Sequence, residues 1–110
     1  MTQNPLTLVQ GTVDLLVLRA LAAGPSHGYA VSRWVRERTD GVLGIEDASL
    51  YQTLHRLEAK GSIEAEWGLS DNNRRAKYYS LTAQGRRQLR TGAATWHLYA
   101  AAMAKVLEPS

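Results

Sequence analysis

Between Asn72 and Arg90 the chain carries six cations, Arg74, Arg75, Lys77, Arg86, Arg87 and Arg90, and no carboxylate. A track of guanidinium and ammonium groups is the chemistry that neutralises phosphates and releases their counterions. Just upstream, Ser49, Tyr51, Gln52, His55, Arg56 and Lys60 bring hydroxyl, amide, imidazole and cationic groups into one short segment. Those side-chain types donate to and accept from base edges and phosphates, so duplex nucleic acid is the partner they fit. The stretch from Glu46 to Asp71 works against this, since it holds Glu46, Asp47, Glu58, Glu64, Glu66 and Asp71 against Arg56 and Lys60. The net charge of +3, from 13 Lys and Arg against 10 Asp and Glu, decides little. Its placement decides more, because the cations cluster after the acids end.

Other chemistries find little support. The chain has no cysteine, which removes disulfides, thiolate ligands and a thiol nucleophile together and fits a reducing cytoplasm. His27, His55 and His97 stand far apart with no metal-ligand spacing, so no metal site is expected. No glycine-rich phosphate loop and no nucleophile elbow is present, so neither an enzyme nor a cofactor is expected. No apolar run reaches the roughly 18 residues of a membrane span. The start, MTQNPLTLVQGTVDLLVLRA, lacks a basic leader and a small-residue cleavage site, so its apolar stretch reads as core and the protein as cytoplasmic.

The elements that must position these groups follow from hydrophobic period. Leu50, Leu54 and Leu57 recur at helical spacing and put one face of a helix inward. Gly61 fits a left-handed C-cap, after which the period changes to two, with Ile63, Ala65 and Trp67 alternating against Glu64 and Glu66. A second alternating run over residues 76–81 places Tyr79 and Leu81 opposite Tyr78 and Ser80. Gly68 to Arg75 supplies the turn of a hairpin. Upstream, residues 12–21 are apolar nearly all round, as in a central helix. Ser26 is the expected N-cap of a second helix reaching about Thr39, with Tyr29 or Ala30, Val31, Trp34 and Val35 inward. Residues 42–45 read as a short strand leading into a helix begun near Glu46 or Asp47, whose carboxylate would cap free N–H groups.

After the hairpin, Thr82 is a good N-cap for a long last helix. Within it Leu89, Ala93, Trp96, Ala100, Met103 and Leu107 form one stripe by alternating steps of four and three. A chain of 110 residues makes one small core, which cannot cover that stripe, so a second copy of the chain is its expected cover. The fold class is therefore mainly α with a small β-hairpin: a winged helix-turn-helix over residues 9–81, then a dimerisation helix over 82–107. Only residues 1–8 and 108–110 read as loose ends.

Four blocks carry a resemblance: GTVDLLVLRAL at 11–21, GPSHGY at 24–29, SLYQTLHRLEAKGSIEAEWG at 49–68 and NNRRAKYYSLTAQGRRQL at 72–89. In this order they resemble PadR-like transcriptional regulators, in particular short members with a single C-terminal helix, over about residues 10–107. The resemblance implies a winged helix dimerised through its last helix and ligand-modulated repression of transcription. It also implies an effector pocket, since in similar regulators aromatic side chains at the dimer interface bind planar hydrophobic molecules. Trp96, Tyr99 and Met103 are the residues for it here, with Trp34 unplaced. One departure is visible. Where the family has proline after the Leu-Tyr pair, this chain has Gln52, whose amide can meet an adenine edge in two hydrogen bonds as proline cannot.

The DNA-binding residues expected are Ser49, Tyr51, Gln52, His55, Arg56 and Lys60 on the helix and Arg74, Arg75 and Lys77 on the wing. Each has a plain alternative: a solvated helix face, a solubilising turn. Arg86, Arg87 and Arg90 either extend the phosphate track or simply face water. His27 caps or bonds within its turn. A winged-helix docking module that does not bind DNA is the rival function, favoured by the acids from Glu46 to Glu66.

Overall fold

The computed structural model describes Leu8 and residues 11–109. The domain start expected at residue 9, and much of the loose ends expected at 1–8 and 108–110, lie outside the described residues. The elements run α1 (Thr12–Ala22), β1 (Ser26–His27), α2 (Gly28–Arg38), α3 (Asp47–Lys60), β2 (Ile63–Leu69), β3 (Arg75–Leu81) and α4 (Ala83–Leu107). The result is a mainly helical winged helix with a long terminal helix.

The apolar run of α1 is the hub, packing against α2, α3, α4 and β3. It buries Val17, Leu18, Ala20 and Leu21, which meet Val31 and Val35 of α2, Leu50, Leu54 and Leu57 of α3, and Ile63, Tyr79 and Leu81 of the sheet. Of the two residues offered for the inward side of α2's first turn, Ala30 is half-buried and Tyr29 is exposed.

Ser26 does not cap α2. Ser26 and His27 are extended and pair with Tyr79 and Tyr78 of β3. The cap passes to His27, whose Nδ1 accepts the Ala30 N–H at 3.2 Å. The edge of β3 takes up the backbone of Ser26, and the next side chain able to reach the third helical N–H replaces it. The sheet consequently has three strands in the order β1-β3-β2, all antiparallel.

Of the short strand expected over residues 42–45, only an isolated β-bridge at Leu43 is found among the described residues. Thr39 closes α2 there: its hydroxyl donates to the Val35 carbonyl at 2.9 Å and accepts the Leu43 N–H at 3.0 Å. The acid cap expected on α3 is also absent, because Glu46 sits at the N-cap without a side-chain hydrogen bond to the helix. Asp47 still lies in the first turn, where its charge favours the positive end of the helix dipole. Gly61 ends α3 with φ +83, a left-handed conformation that suits glycine.

The β2–β3 register runs from Ile63↔Leu81 at the core to Leu69↔Arg75 at the tip. Its turn, from Ser70 to Arg74, is tighter than the expected Gly68 to Arg75. The Ser70 N–H donates to the Arg74 carbonyl at 2.8 Å, and Asn73 takes φ +61.

Thr82 caps α4, its hydroxyl accepting the Gly85 N–H at 3.1 Å. Around this cap α4 docks on the end of α3. The Thr82 N–H donates to the Ser62 carbonyl at 3.1 Å, the Thr82 hydroxyl donates to the Gly61 carbonyl at 2.6 Å, and Gln84 donates to the Lys60 carbonyl at 2.9 Å. A Cβ on Gly85 would fall on the Ser62 carbonyl oxygen. Beyond this junction α4 passes along α1 through Leu89 and Gly92, and its last turns extend past the core; the radius of gyration is 15.4 Å, against roughly 13 Å for a compact chain of this length.

Alanine in place of a helical glycine ordinarily stabilises by about 1 kcal/mol. For Gly85→Ala the sign should reverse, because overpacking against fixed backbone costs about 3 kcal/mol. Thermal unfolding followed by circular dichroism checks this; a Tm equal to or above that of the parent chain contradicts it.

Candidate nucleic-acid interface

Successive residues of α3 are about 100° apart. With Leu50, Leu54 and Leu57 buried, the face pointing directly outward is Ala48, Gln52, His55 and Ala59, all exposed. Ala48 and Ala59 were not anticipated from sequence, because small side chains announce no chemistry. They leave room for a groove wall to approach Gln52 and His55, and an alanine methyl can itself meet a thymine methyl.

The two flanks of α3 are engaged with the rest of the domain. On one side Glu58 accepts from Lys77 of β3 at 3.2 Å. That hydrogen bond is the foremost cause raising the lysine's pKa above its ordinary value. Lys77 also lies over the Tyr79 ring at 5.5 Å, and burial pushes the Tyr79 hydroxyl's pKa up. Lys77, expected as a wing contact to phosphate, is thus tied to the helix it flanks. On the other side Arg56 donates to Asp14 of α1 at 2.6 Å, which raises the guanidinium's pKa, first through the hydrogen bond itself. Arg56 therefore points along the flank towards α1. Ser49 is half-buried and Lys60 is exposed.

Tyr51, about half exposed, lies in the angle between α2 and the wing. A Cβ on Gly28 would come within 3.1 Å of its ring, so the glycine at the start of α2 leaves room for the tyrosine. Tyr51, Arg75 and Lys77 line one open groove of about 360 Å³ with Tyr29 and Trp67. Arg75 stacks over the Trp67 ring at 4.6 Å. Both wing-tip arginines, Arg74 and Arg75, are exposed, and among the described residues neither has a carboxylate partner. The same holds for Arg86, Arg87 and Arg90 at the start of α4.

Along α4 the expected stripe divides. Leu89 packs against the domain's own core, Ala93 and Ala100 are half-buried, and Trp96, Met103 and Leu107 are exposed. Val106, 80% exposed and on the same side as Tyr99 and Met103, widens the apolar face beyond the single stripe read from sequence, whereas Leu98, 76% exposed, lies on the opposite side of the helix.

Between α1 and α4 lies an open cavity of about 540 Å³. Trp96 and Tyr99 line it, stacked with ring centroids 6.0 Å apart at 28°. Of the residues expected to form an effector pocket, Met103 is not on its wall. Trp34 lies elsewhere, between the guanidiniums of Arg19 and Arg38, each 5.5 Å from its ring. Gly92, missed in the sequence, opens this wall, since a Cβ there would reach 3.1 Å from Leu15. A glycine inside a helix was the available signal.

Known proteins of similar sequence and shape agree with this geometry. The family model for the transcriptional regulator PadR-like family matches residues 17–91. A transcriptional regulator from Clostridium thermocellum is similar at 30% identity and a TM-score of 0.82, over 90% of this chain and 96% of its own. A PadR family transcriptional regulator from Eggerthella lenta is similar at 35% identity and a TM-score of 0.74, over 92% of this chain and 86% of its own. Bacillus subtilis PadR, solved in complex with operator DNA, shares the fold at 21% identity and a TM-score of 0.67, over 74% of this chain and 46% of its own. With its winged helix, its long terminal helix and a family match covering most of its length, the chain belongs to the PadR-like transcriptional regulator family.

Proposed function

We propose that this regulator binds duplex DNA as a homodimer, with residues 9–81 reading a palindromic operator and residues 82–107 joining the two copies. In this reading it represses transcription in the cytoplasm until a small planar effector occupies the cavity between α1 and α4. The observation that carries the DNA reading is the outward face of α3. Ala48, Gln52, His55 and Ala59 are uncovered and free of carboxylates, beside a wing whose tip offers Arg74 and Arg75 unpaired among the described residues. Such a face can enter a major groove with its amide and imidazole at base edges while the wing tip meets phosphates. The same fold in Bacillus subtilis PadR is seen with operator DNA.

The dimer reading rests on α4. Trp96, Tyr99, Met103, Val106 and Leu107 remain exposed after the domain has folded, more apolar surface than a helix keeps in water without a partner. The effector reading rests on the cavity's size, which suits a small molecule, and on the stacked Trp96 and Tyr99.

Fluorescence anisotropy on labelled duplex from upstream of the chain's own gene, against a scrambled duplex and across a salt series, tests the DNA reading. Tight binding to the native duplex with a steep salt slope is expected; binding insensitive to DNA sequence and salt would point instead to a protein-docking module. Replacing Arg74 and Arg75 together by alanine should weaken binding to all duplexes alike and flatten the salt slope by about two. Gln52→Ala or Gln52→Pro should instead leave the slope unchanged and relax the preference at one base pair of a randomised site library, worth about 1–3 kcal/mol. An unaltered preference would remove Gln52 from the reading set. Met103→Glu with Leu107→Glu should yield a folded monomer by sedimentation velocity; a persistent dimer would move the interface off the end of α4.

A further inference from the structure

Three large rings stand uncovered around the open groove between the start of α2, Tyr51 of α3 and the wing: Tyr29 at 64%, Tyr51 at 47% and Trp67 at 56% exposure. Each is held by a neighbour. Arg75 lies over the Trp67 indole at 4.6 Å. Arg33 lies over the Tyr29 ring at 5.5 Å, with the His27 ring stacked 6.5 Å from it, and Gly28 leaves the space that Tyr51 fills. Among the described residues no carboxylate lines this groove, while Arg75 and Lys77 do.

The wall is more aromatic than a phosphate alone requires. Lys77 is already engaged by Glu58 at 3.2 Å, so a bare phosphate would meet one free guanidinium edge among three rings. Ring faces pack instead on apolar C–H surface, where contact adds hydrophobic burial. A DNA strand offers both chemistries in alternation, a charged phosphate and a deoxyribose whose C2′ is a bare methylene. Position says where along the duplex this strand lies. With the outward face of α3 in a major groove and the wing tip at the neighbouring phosphates, the backbone bordering that major groove passes through the angle between α3 and the wing. The aromatic groove lies in that angle.

Resting on the DNA reading, we infer that this groove seats one strand of the operator by its deoxyribose rings and discriminates against ribose at that place. Tyr29, Tyr51 and Trp67 cover the sugar. Arg75 is a positioning residue, which holds the indole with its flat face while its N–H edge stays free for the adjoining phosphate. A 2′-hydroxyl set against the faces of these rings loses its water and finds no hydrogen-bond partner, and that loss is what separates ribose from deoxyribose there. The regulator thus reads the sugar of its operator as well as the bases.

Fluorescence anisotropy of the full chain tests this on the duplex from upstream of its own gene, with a single ribonucleotide walked through every position of each strand. Affinity should fall about tenfold at one or two nucleotides in each half of the site, the effect of one buried hydroxyl left unpaired. It should be unchanged at the others. Trp67→Ala should weaken binding of the all-deoxy duplex, keep its salt slope and remove most of the penalty at those nucleotides. Trp67→Phe, which restores a ring, should restore the penalty. Trp67 stands outside the buried core, so neither substitution opens it. Sequence-specific binding with every ribonucleotide tolerated, or a penalty undiminished by Trp67→Ala, overturns the sugar reading and leaves the DNA reading standing. Failure of the all-deoxy duplex to bind overturns the DNA reading and the sugar reading with it.

Discussion

The closeness of Gly85 to the Ser62 carbonyl is the constraint on which the rest of the molecule depends. Four pieces of chain meet there: the end of α3 at Lys60 and Gly61, the start of β2 after Ser62, the end of β3 at Leu81, and the first turn of α4. The carbonyls of Lys60, Gly61 and Ser62, which α3 and its cap leave without helical partners, are taken by Gln84 and Thr82. Ser62 is fully buried, and its hydroxyl donates to Gln88 one turn further along α4. The negative end of one helix dipole therefore meets the positive end of another, with hydrogen bonds across the gap. A side chain at residue 85 would push α4 away and leave the carbonyl of the buried Ser62 unpaired, together with the exposed carbonyls of Lys60 and Gly61.

This junction fixes the direction of α4 relative to α3. In the proposed dimer, α4 sets where the partner sits and α3 reads the groove, so the angle between them sets the spacing of two recognition helices. Two ion pairs brace α3 against rotation within its own domain, Glu58 with Lys77 on the wing side and Asp14 with Arg56 on the α1 side. Both are partly exposed, and their separate contributions to stability are small. Their weight lies in orientation. They turn Arg56 and Lys77 aside, so that the outward face keeps the Gln52 amide and the His55 imidazole, while the cations without a carboxylate partner among the described residues gather on the wing tip and at the start of α4.

Much of this was legible in the sequence because it follows from period. Leu50, Leu54 and Leu57 gave the buried side of α3, Gly61 its end, the alternation around Tyr79 and Leu81 the second wing strand, and Thr82 the start of α4. What stayed hidden depends on distant partners. Two residues, Ser26 and His27, are too few to show a strand's period, and only the free edge of β3 makes them one. Residues 42–45 look extended and apolar, yet Thr39 holds Val42 and Leu43 against the end of α2 and only a single bridge at Leu43 remains of the strand. Nine DNA contacts were expected from residue type, and type alone cannot show that Arg56 faces Asp14 or that Lys77 faces Glu58, 42 and 19 residues away in sequence. Gly85 and Gly92 stood out of place inside a helix, and in each case the structure supplies a close neighbour as the reason.

The claim that a rigid junction sets the reading distance can be measured directly. The chain has no cysteine, so a single Ala59→Cys substitution takes one nitroxide label on the outward face of α3. Double electron–electron resonance between the two copies should then give one narrow distance, near the roughly 34 Å that separates successive major-groove faces of duplex DNA, and adding operator duplex should leave it in place. A broad distribution, or no dipolar coupling at all, would mean that the two recognition helices are not held at a set spacing by α4.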